Sequence, residues 1–410
     1  MLPSTSYRAA AFVAAARRLG VALTVASERP STFEQALPEN LLTLNFSDPS
    51  AAARDAVTFA RAHPVAGVVG VDDETAVVAA AIATALDVPG NRVAAAMAAR
   101  DKRRQRELLA AAAVPVPRFA SYPRDADPRL VAAGARYPCV LKPIELSGSR
   151  GVIRADTAVE FERAFERLVA ILRTPEVDRC GESARAVLVE DFVPGAEVAL
   201  EGLLHRGRLA ALALFDKPDP LDGPFFEETI YVTPSRLPAA AQSALIATAA
   251  AAARALGLEE GPVHAELRVN ASGPWLIELA ARPIGGRCSA ALRFTTPEAS
   301  DQMLSLEEIV LANALNAGVR APARESLAAG VMMIPVPGAG ELVEVEGVAR
   351  ARAVAFVEDV AITAHRGQRL VPLPEGSGYP GFIFARGPTP EVVEAALRAA
   401  HSHLLFRLTR

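Results

Sequence analysis

Residues 1–95 alternate short apolar runs with alanine-rich stretches of helical length, and this alternation narrows the fold more than any other feature. Residues 21–27, 41–46 and 65–71 read as strands, and residues 8–19, 50–62 and 74–86 read as helices. Strands that alternate with helices predict a parallel sheet with helices on its faces. The first helix follows a Pro3-Ser4-Thr5-Ser6 turn, which normally comes after a strand. Met1 and Leu2 are too short to supply one. The sequence therefore predicts either a start assigned too late or a sheet that lacks its first strand.

A helix is expected over residues 92–113, ended by Val114-Pro115-Val116-Pro117, because proline cannot continue it. Strands at 118–122, 139–144 and 186–193 and helices at 128–135 and 158–172 follow. Residues 197–232 read as two or three antiparallel strands around a proline-rich loop. A helix at 238–256 leads to a hairpin, 263–270 and 275–281, and then a helix at 303–317. Beyond residue 320 short strands dominate, at 331–335, 341–346, 353–357, 369–372 and 382–386, with a closing helix at 390–404. The predicted units are 1–95, 96–320 with a small lobe at about 115–190, and a β-rich unit at 325–410.

Charge and composition exclude several classes. A net charge of -4 with interspersed signs does not suit a nucleic-acid binder. No charge-free apolar run reaches ~18 residues, so no membrane span is expected, and the start shows no secretory pattern. Cys139, Cys180 and Cys288 have no paired metal spacing, which suggests free thiols and a cytoplasmic location.

The hairpin carries the sharpest chemical signal. Glu266 and Glu278 lie equally far from Ser272, so an antiparallel pairing would set them opposite each other on one face. Two carboxylates that close suit Mg²⁺, which binds one or two carboxylates together with phosphate oxygens. Arg282 would share the face if the strand continued. Lys142 ends an apolar strand just before the small-residue run Ser147-Gly148-Ser149-Arg150-Gly151, where backbone N–H groups can close over phosphates. The lysine precedes the glycines, so this is not a Walker A loop. The stretch Asp101-Lys102 with Arg103, Arg104 and Arg106 reads by itself as a solvated basic face. The strand ending at Glu190-Asp191-Phe192-Val193, before Pro194-Gly195-Ala196-Glu197, can offer backbone to an adenine edge. Glu228 lies in an acidic, irregular stretch suited to an ammonium group or simply to solvent. Asp72-Asp73-Glu74 ends a predicted parallel strand, where ligands bind in open α/β sheets, and reads equally as a helix cap.

In this order the pieces resemble the ATP-grasp superfamily over residues 90–300, and Glu278-Leu-Ala-Ala-Arg282-Pro-Ile-Gly-Gly286 resembles its L-amino acid ligase group. The resemblance implies an α/β chain with a two-lobed α+β ATP-grasp centre, a Rossmann-like N-terminal domain and a β-rich C-terminal lid. It implies ATP and two Mg²⁺ ions, with Mn²⁺ as a substitute. Lys102 and Lys142 would bind ATP phosphates under a mobile Ser147–Gly151 loop, with Ser147, Gly148, Ser149 and Gly151 closing over the γ-phosphate. Glu190, Asp191, Phe192 and Val193 would hold adenine, and Glu197 the ribose. Glu266 and Glu278 would ligate metal. Lys142 and Arg282 would stabilise reacting charge, Gly285 and Gly286 would admit a substrate carboxylate, and Glu228 would meet its amino group. Many members carry Asn two residues after the second metal Glu; here Ala280 stands there, as in dipeptide-forming relatives. The implied partners are a small carboxylate and an amine, with no nucleic acid or membrane. The oligomeric state stays open, a homodimer included. Two other readings are a carboxylase-like enzyme that activates bicarbonate and a non-catalytic nucleotide-binding module.

Overall fold

A computed structural model describes every residue except positions 5, 32, 35, 180, 298, 318–321 and 410. The expectation for Cys180 lies outside the described residues; Cys139 and Cys288 are buried and free. In the N-terminal part, strands Val25–Ser27 and Leu41–Thr43 pair in parallel, packed by helices Ala9–Leu19, Pro49–Ala60 and Asp73–Leu86. The predicted strand at 65–71 does not form: among the described residues no neighbouring strand completes a ladder with it. Met1 and Leu2 bridge the gap. The Met1 ammonium donates to the Val69 carbonyl (2.7 Å), and the Leu2 N–H donates to Ala26 (3.0 Å).

The helix expected over 92–113 is two helices, Val93–Arg100 and Lys102–Ala111. Asp101 separates them because it is extended (φ -85°, ψ 105°) and its carboxylate accepts the Arg104 N–H, a better use of aspartate than a helix interior. The break turns Lys102, Gln105 and Arg106 inward and leaves Arg103 and Arg104 exposed. The stretch is therefore not a single solvated basic face.

The small lobe is an antiparallel sheet in the spatial order Phe119–Pro123, Ala186–Asp191, Cys139–Pro143 and Ile153–Ala155. Helix Ala158–Leu172 covers it with Phe161, Phe165, Leu168 and Leu172, all on one helical face. The larger sheet has eight strands, in the order Gly273–Ala280, Gly261–Asn270, Ala196–His205, Arg208–Asp216, Ile230–Thr233, Ala328–Met333, Gly381–Gly387 and Val357–Ile362. A division near residue 325 thus falls between strands that hydrogen-bond to one another: Ile230–Thr233 pairs with Ala328–Met333.

Two local expectations fail near the C-terminus. Residues 353–357 do not form a strand. Helix Val348–Arg352 runs up to Ala353, and the strand begins only at Val357. The closing helix stops at Ser402, and Leu405–Thr409 returns as a strand beside Gly340–Glu346. Alternating burial there is shallow, which weakens the sequence signal. The expected helix at 303–317 is shorter, Leu306–Ala314, because Ser305 caps it in a box with Glu308. Helix Ala239–Leu256 is long and apolar enough by length and composition to cross a membrane. Here it packs on the hairpin sheet through Leu245, Ala249, Ala252, Ala253 and Leu256.

Candidate active site

A cavity of about 590 Å³ opens between the small lobe, the large sheet and the N-terminal part. The hairpin Gly261–Asn270/Gly273–Ala280 forms one wall. Its two-residue turn would by itself set Glu266 opposite Ile277. A bulge between Glu266 and Leu267 shifts the register by one residue and brings Glu266 opposite Glu278. Both carboxylates line the cavity. The strand ends at Ala280, so Arg282 reaches the cavity from the following loop rather than from the strand face.

Except for Asp72, which caps the helix it precedes, the carboxylates lining the cavity are each engaged by a cation. Lys102 meets Glu278 at 2.8 Å, and Lys142 meets Glu190 at 2.7 Å. Glu190 is 2% exposed and also pairs with Arg106 at 2.6 Å, so its side chain braces the lysine from beneath. Burial opposes its ionisation, but Arg106 and Lys142 outweigh burial and hold its carboxyl below the usual range. The backbone that can meet a planar base lies further along the strand: the Val193 N–H has no hydrogen-bond partner among the described residues, while the Phe192 N–H is taken by Pro138. Arg118 binds Asp191 at the rim.

Lys217, which the sequence reading did not single out, is buried behind the cavity wall where three lining carboxylates converge. Its ammonium contacts Glu197 (2.8 Å), Glu228 (2.5 Å) and Glu266 (3.3 Å), and its side chain is 3% exposed. Burial would lower its pKa, yet the carboxylates raise it well above the ordinary lysine value. Ligand oxygens of Glu197, Glu228 and Glu266 lie within 4.8 Å of one another, a donor set suited to a hard divalent ion. The expected partner Glu278 lies across the register, held by Lys102. Burial pushes the Glu228 carboxyl up to about 7 despite Lys217, while the Tyr231 hydroxyl donates to it at 2.7 Å. Burial also opposes ionisation of Glu266, but Lys217 and His264 hold its carboxyl well below the usual range.

A second layer orients these groups. His264 lies between Glu201 (3.5 Å) and Glu266 (3.7 Å), and Glu201 accepts the Ile284 N–H at 3.1 Å. Burial raises the Glu201 carboxyl, only partly offset by His264. The carboxylate–histidine–carboxylate line ties the loop after the hairpin to Glu266. Asp73, at the start of helix Asp73–Leu86, accepts from Arg282 at 3.0 Å. Burial disfavours the Asp73 charge, yet Arg282 and Lys102 lower its pKa overall. Its place at the carboxyl end of the 65–71 segment was the available sequence signal. For Lys217, a lone lysine in a loop-rich stretch, the only signal was the three acidic residues that converge on it in space.

The small-residue loop turns through the left-handed region at Gly148, Ser149 and Gly151 (φ 63°, 55° and 74°). Ser147, Gly148 and Ser149 line the cavity, and the N–H groups of Gly148 and Ser149 have no partner among the described residues. The C-terminal part holds the loop: the Gly151 N–H donates to Pro374 (2.9 Å), Arg150 donates to the Glu375 carbonyl (2.9 Å), and Glu375 pairs with Arg167 (2.6 Å). Gly285 and Gly286 line the opposite wall. A Cβ at Gly286 would lie 2.3 Å from the Met333 sulfur, so only glycine leaves Met333 its place.

Comparison with known proteins agrees with this geometry. Three family models match: an ATP-grasp N-terminal domain over residues 13–90, an ATP-grasp domain over 135–291, and L-amino acid ligase C-terminal domain 2 over 332–409. A D-alanine–D-alanine ligase of Aromatoleum aromaticum is 32% identical over 197 residues, 47% of this chain and 60% of its own length. Dapdiamide A synthase of Enterobacter agglomerans is 31% identical over 38% of this chain and 35% of its own length. The chain thus spans less than two thirds of either relative. The crystal structure of an L-amino acid ligase from Bacillus licheniformis superposes with a TM-score of 0.83 at 27% identity, covering 100% of this chain and 98% of that one.

Proposed function

The chain belongs to the ATP-grasp superfamily and carries the C-terminal domain of L-amino acid ligases, and from that premise we propose that it is an ATP- and Mg²⁺-dependent carboxylate–amine ligase acting on amino acids or similar small molecules. The observation that carries this reading is one cavity lined by a phosphate-type lysine pair, Lys102 and Lys142, and by the facing carboxylates Glu266 and Glu278. The facing pair fits a hard divalent ion: Glu266 and Glu278 would hold Mg²⁺. Bound there, Mg²⁺ would supply charge neutralisation for the triphosphate.

The chemistry runs in two steps. A carboxylate is a poor electrophile because its oxygen leaves badly, so one carboxylate oxygen attacks the γ-phosphorus of ATP and ADP departs. The amine nitrogen then attacks the acyl carbon. The C–O bond breaks, inorganic phosphate leaves with that oxygen, and the nitrogen loses a proton. Lys102 and Lys142 position the phosphates, and Val193 offers its free N–H to adenine. Glu197 lies at the ribose end, Gly148 and Ser149 close N–H groups over the γ-phosphate, and Arg282, held by Asp73, stabilises charge at the acyl carbon. Glu228 takes the ammonium of the first substrate. The Pro374–Glu375 contacts to the loop hold water away from the reactive mixed anhydride. Use of ATP and two buried thiols suit a cytoplasmic location.

The test is ADP and phosphate release with Mg·ATP across amino-acid pairs and small carboxylates, with products identified by mass. Stoichiometric amide and ADP for one pair support the ligase. Bicarbonate-dependent release without amide would replace it by the carboxylase-like reading, and ATP binding without any stimulated release by the non-catalytic one.

A further inference from the structure

The edge strand of the small lobe, Ile153–Ala155, is docked by a segment from outside that lobe, Asp222 to Phe225. Phe225 bridges Ile153, the Arg154 N–H donates to the Pro224 carbonyl (2.9 Å), and the Arg154 guanidinium donates to the Asp222 carbonyl (2.6 Å). A second outside segment, Pro374–Glu375, holds the loop after Lys142 through Gly151 and Arg150. One side chain joins both segments to the small lobe. Arg167, on helix Ala158–Leu172, donates to the two Glu375 carboxylate oxygens from Nε (2.6 Å) and Nη2 (2.9 Å), and its guanidinium lies 4.9 Å from the centre of the Phe225 ring. A fork paired with both oxygens fixes the guanidinium plane as well as its position.

This joint does little for the core. The side chains of Arg167 and Glu375 are 44% and 43% exposed, and an ion pair in water is worth little to stability. Its place is what distinguishes it, because both outside segments run on into the cavity. Glu228 stands three positions beyond Phe225, Ser377 stands two beyond Glu375, and both line the cavity. A Cβ on Gly148 would lie 3.3 Å from the Ser377 side chain, so the C-terminal segment and the small-residue loop meet at their tips. Arg167 therefore ties the lobe that carries Lys142 to the segment that carries Glu228. A contact of modest strength suits a joint that must open for product and close again in each turnover.

Resting on the ligase reading, we propose that Arg167 is a positioning residue that couples closure of the small lobe to the seating of the Glu228 segment, and so decides whether the acyl phosphate passes to the amine or is lost to water. With the joint made, the lobe over the phosphates and the segment at the substrate close as one wall. With it broken, each can part from the other while the intermediate is in place, and water enters. In that loss a water oxygen attacks the acyl carbon and the C–O bond to phosphate breaks. Carboxylate, inorganic phosphate and a proton are released, and ATP is consumed with no amide formed.

The experiment counts amide against ADP in the full chain, with ATP, Mg²⁺ and the best substrate pair of the panel. In Arg167→Met the amide formed per ADP falls about 3- to 5-fold, while ADP formation stays within about twofold of wild type and the thermal midpoint within about 2 °C. Glu375→Gln gives the same fall, and the charge swap, Arg167→Glu together with Glu375→Arg, restores most of it. In wild type the amide per ADP also falls as salt rises from about 0.05 M to about 0.5 M, whereas in Arg167→Met it is already low and stays there. An unchanged ratio in Arg167→Met, an equal loss of ADP and amide, or a swap that restores nothing overturns the assignment. Wild-type protein that forms no ADP with any pair overturns the ligase reading and this assignment with it.

Discussion

Lys217→Met removes the cation around which three carboxylates gather, and its cost can be worked from their spacing. Glu197, Glu228 and Glu266 offer oxygens within 4.8 Å of one another. At an effective dielectric near 20, two unit charges at that distance repel by about 3.5 kcal/mol. The alternative is to protonate one of them. Glu228 already carries most of that cost in the wild type, because burial pushes its carboxyl up to about 7 with the lysine present, so the protonation added in the variant falls on a second carboxylate of the three. A free glutamate titrates near 4.3, so holding one protonated at pH 7 costs about 4 kcal/mol. Both routes agree with the roughly 3–5 kcal/mol expected when one partner of a buried ion pair is deleted. The folded-state pKa in the variant lies above the unfolded one, so the stability is intact below about pH 4.3 and is lost as pH rises. At pH 5 the penalty shrinks to about 1 kcal/mol. Thermal or urea unfolding in metal-free buffer at pH 5 and pH 7.5 reads this directly, and millimolar Mg²⁺ should restore part of the loss at pH 7.5. A variant within about 1 kcal/mol of wild type at pH 7.5, or equally destabilised at both pH values, would refute the reasoning.

Other outcomes follow from the same geometry. Glu278→Gln removes a hard-ion ligand and the partner of Lys102, so ligation should fall by at least about 1000-fold, with weaker Mg·ATP binding by calorimetry; normal turnover would reject the metal assignment. Asp73→Asn frees Arg282, and kcat should drop roughly 10- to 100-fold with ATP affinity nearly unchanged in equilibrium binding. Because Glu228 must be ionised to hold an ammonium, kcat/KM for the amino-acid carboxylate should rise with pH to a plateau, with a midpoint near 7. Glu228→Gln should abolish that limb of the profile. Gly286→Ala should cost about 1 kcal/mol from its left-handed backbone, because φ is 58°, and should push Met333 into the cavity. Adding Met333→Ala should recover substrate affinity, measured as KM.

Much of this site was legible from local pattern. The strand ending in Lys142, the glycine-serine loop and the carboxylate pair each sit in a short segment whose period or turn chemistry is explicit. The facing of Glu266 and Glu278 was inferred from symmetry about Ser272, and the structure reaches it only through a bulge that sequence spacing does not reveal. What stayed hidden is long-range. Lys217 matters because strands at 196–205 and 261–270 and the loop at 228 converge on it. Asp73 and Arg282 meet across 209 positions of sequence. Arg106 read as part of a solvated face until the Asp101 cap turned it toward Glu190. The eight-stranded sheet was hidden for the same reason, since its joining pair, Ile230–Thr233 with Ala328–Met333, is distant in sequence.

The most direct test of the account follows an oxygen atom. With the carboxylate substrate labelled with ¹⁸O in both oxygens, ligation is run in unlabelled water with Mg·ATP and the inorganic phosphate is examined by mass spectrometry. The account predicts that one labelled oxygen passes into phosphate for each amide formed. Amide formation with unlabelled phosphate would contradict activation of the carboxylate by phosphoryl transfer.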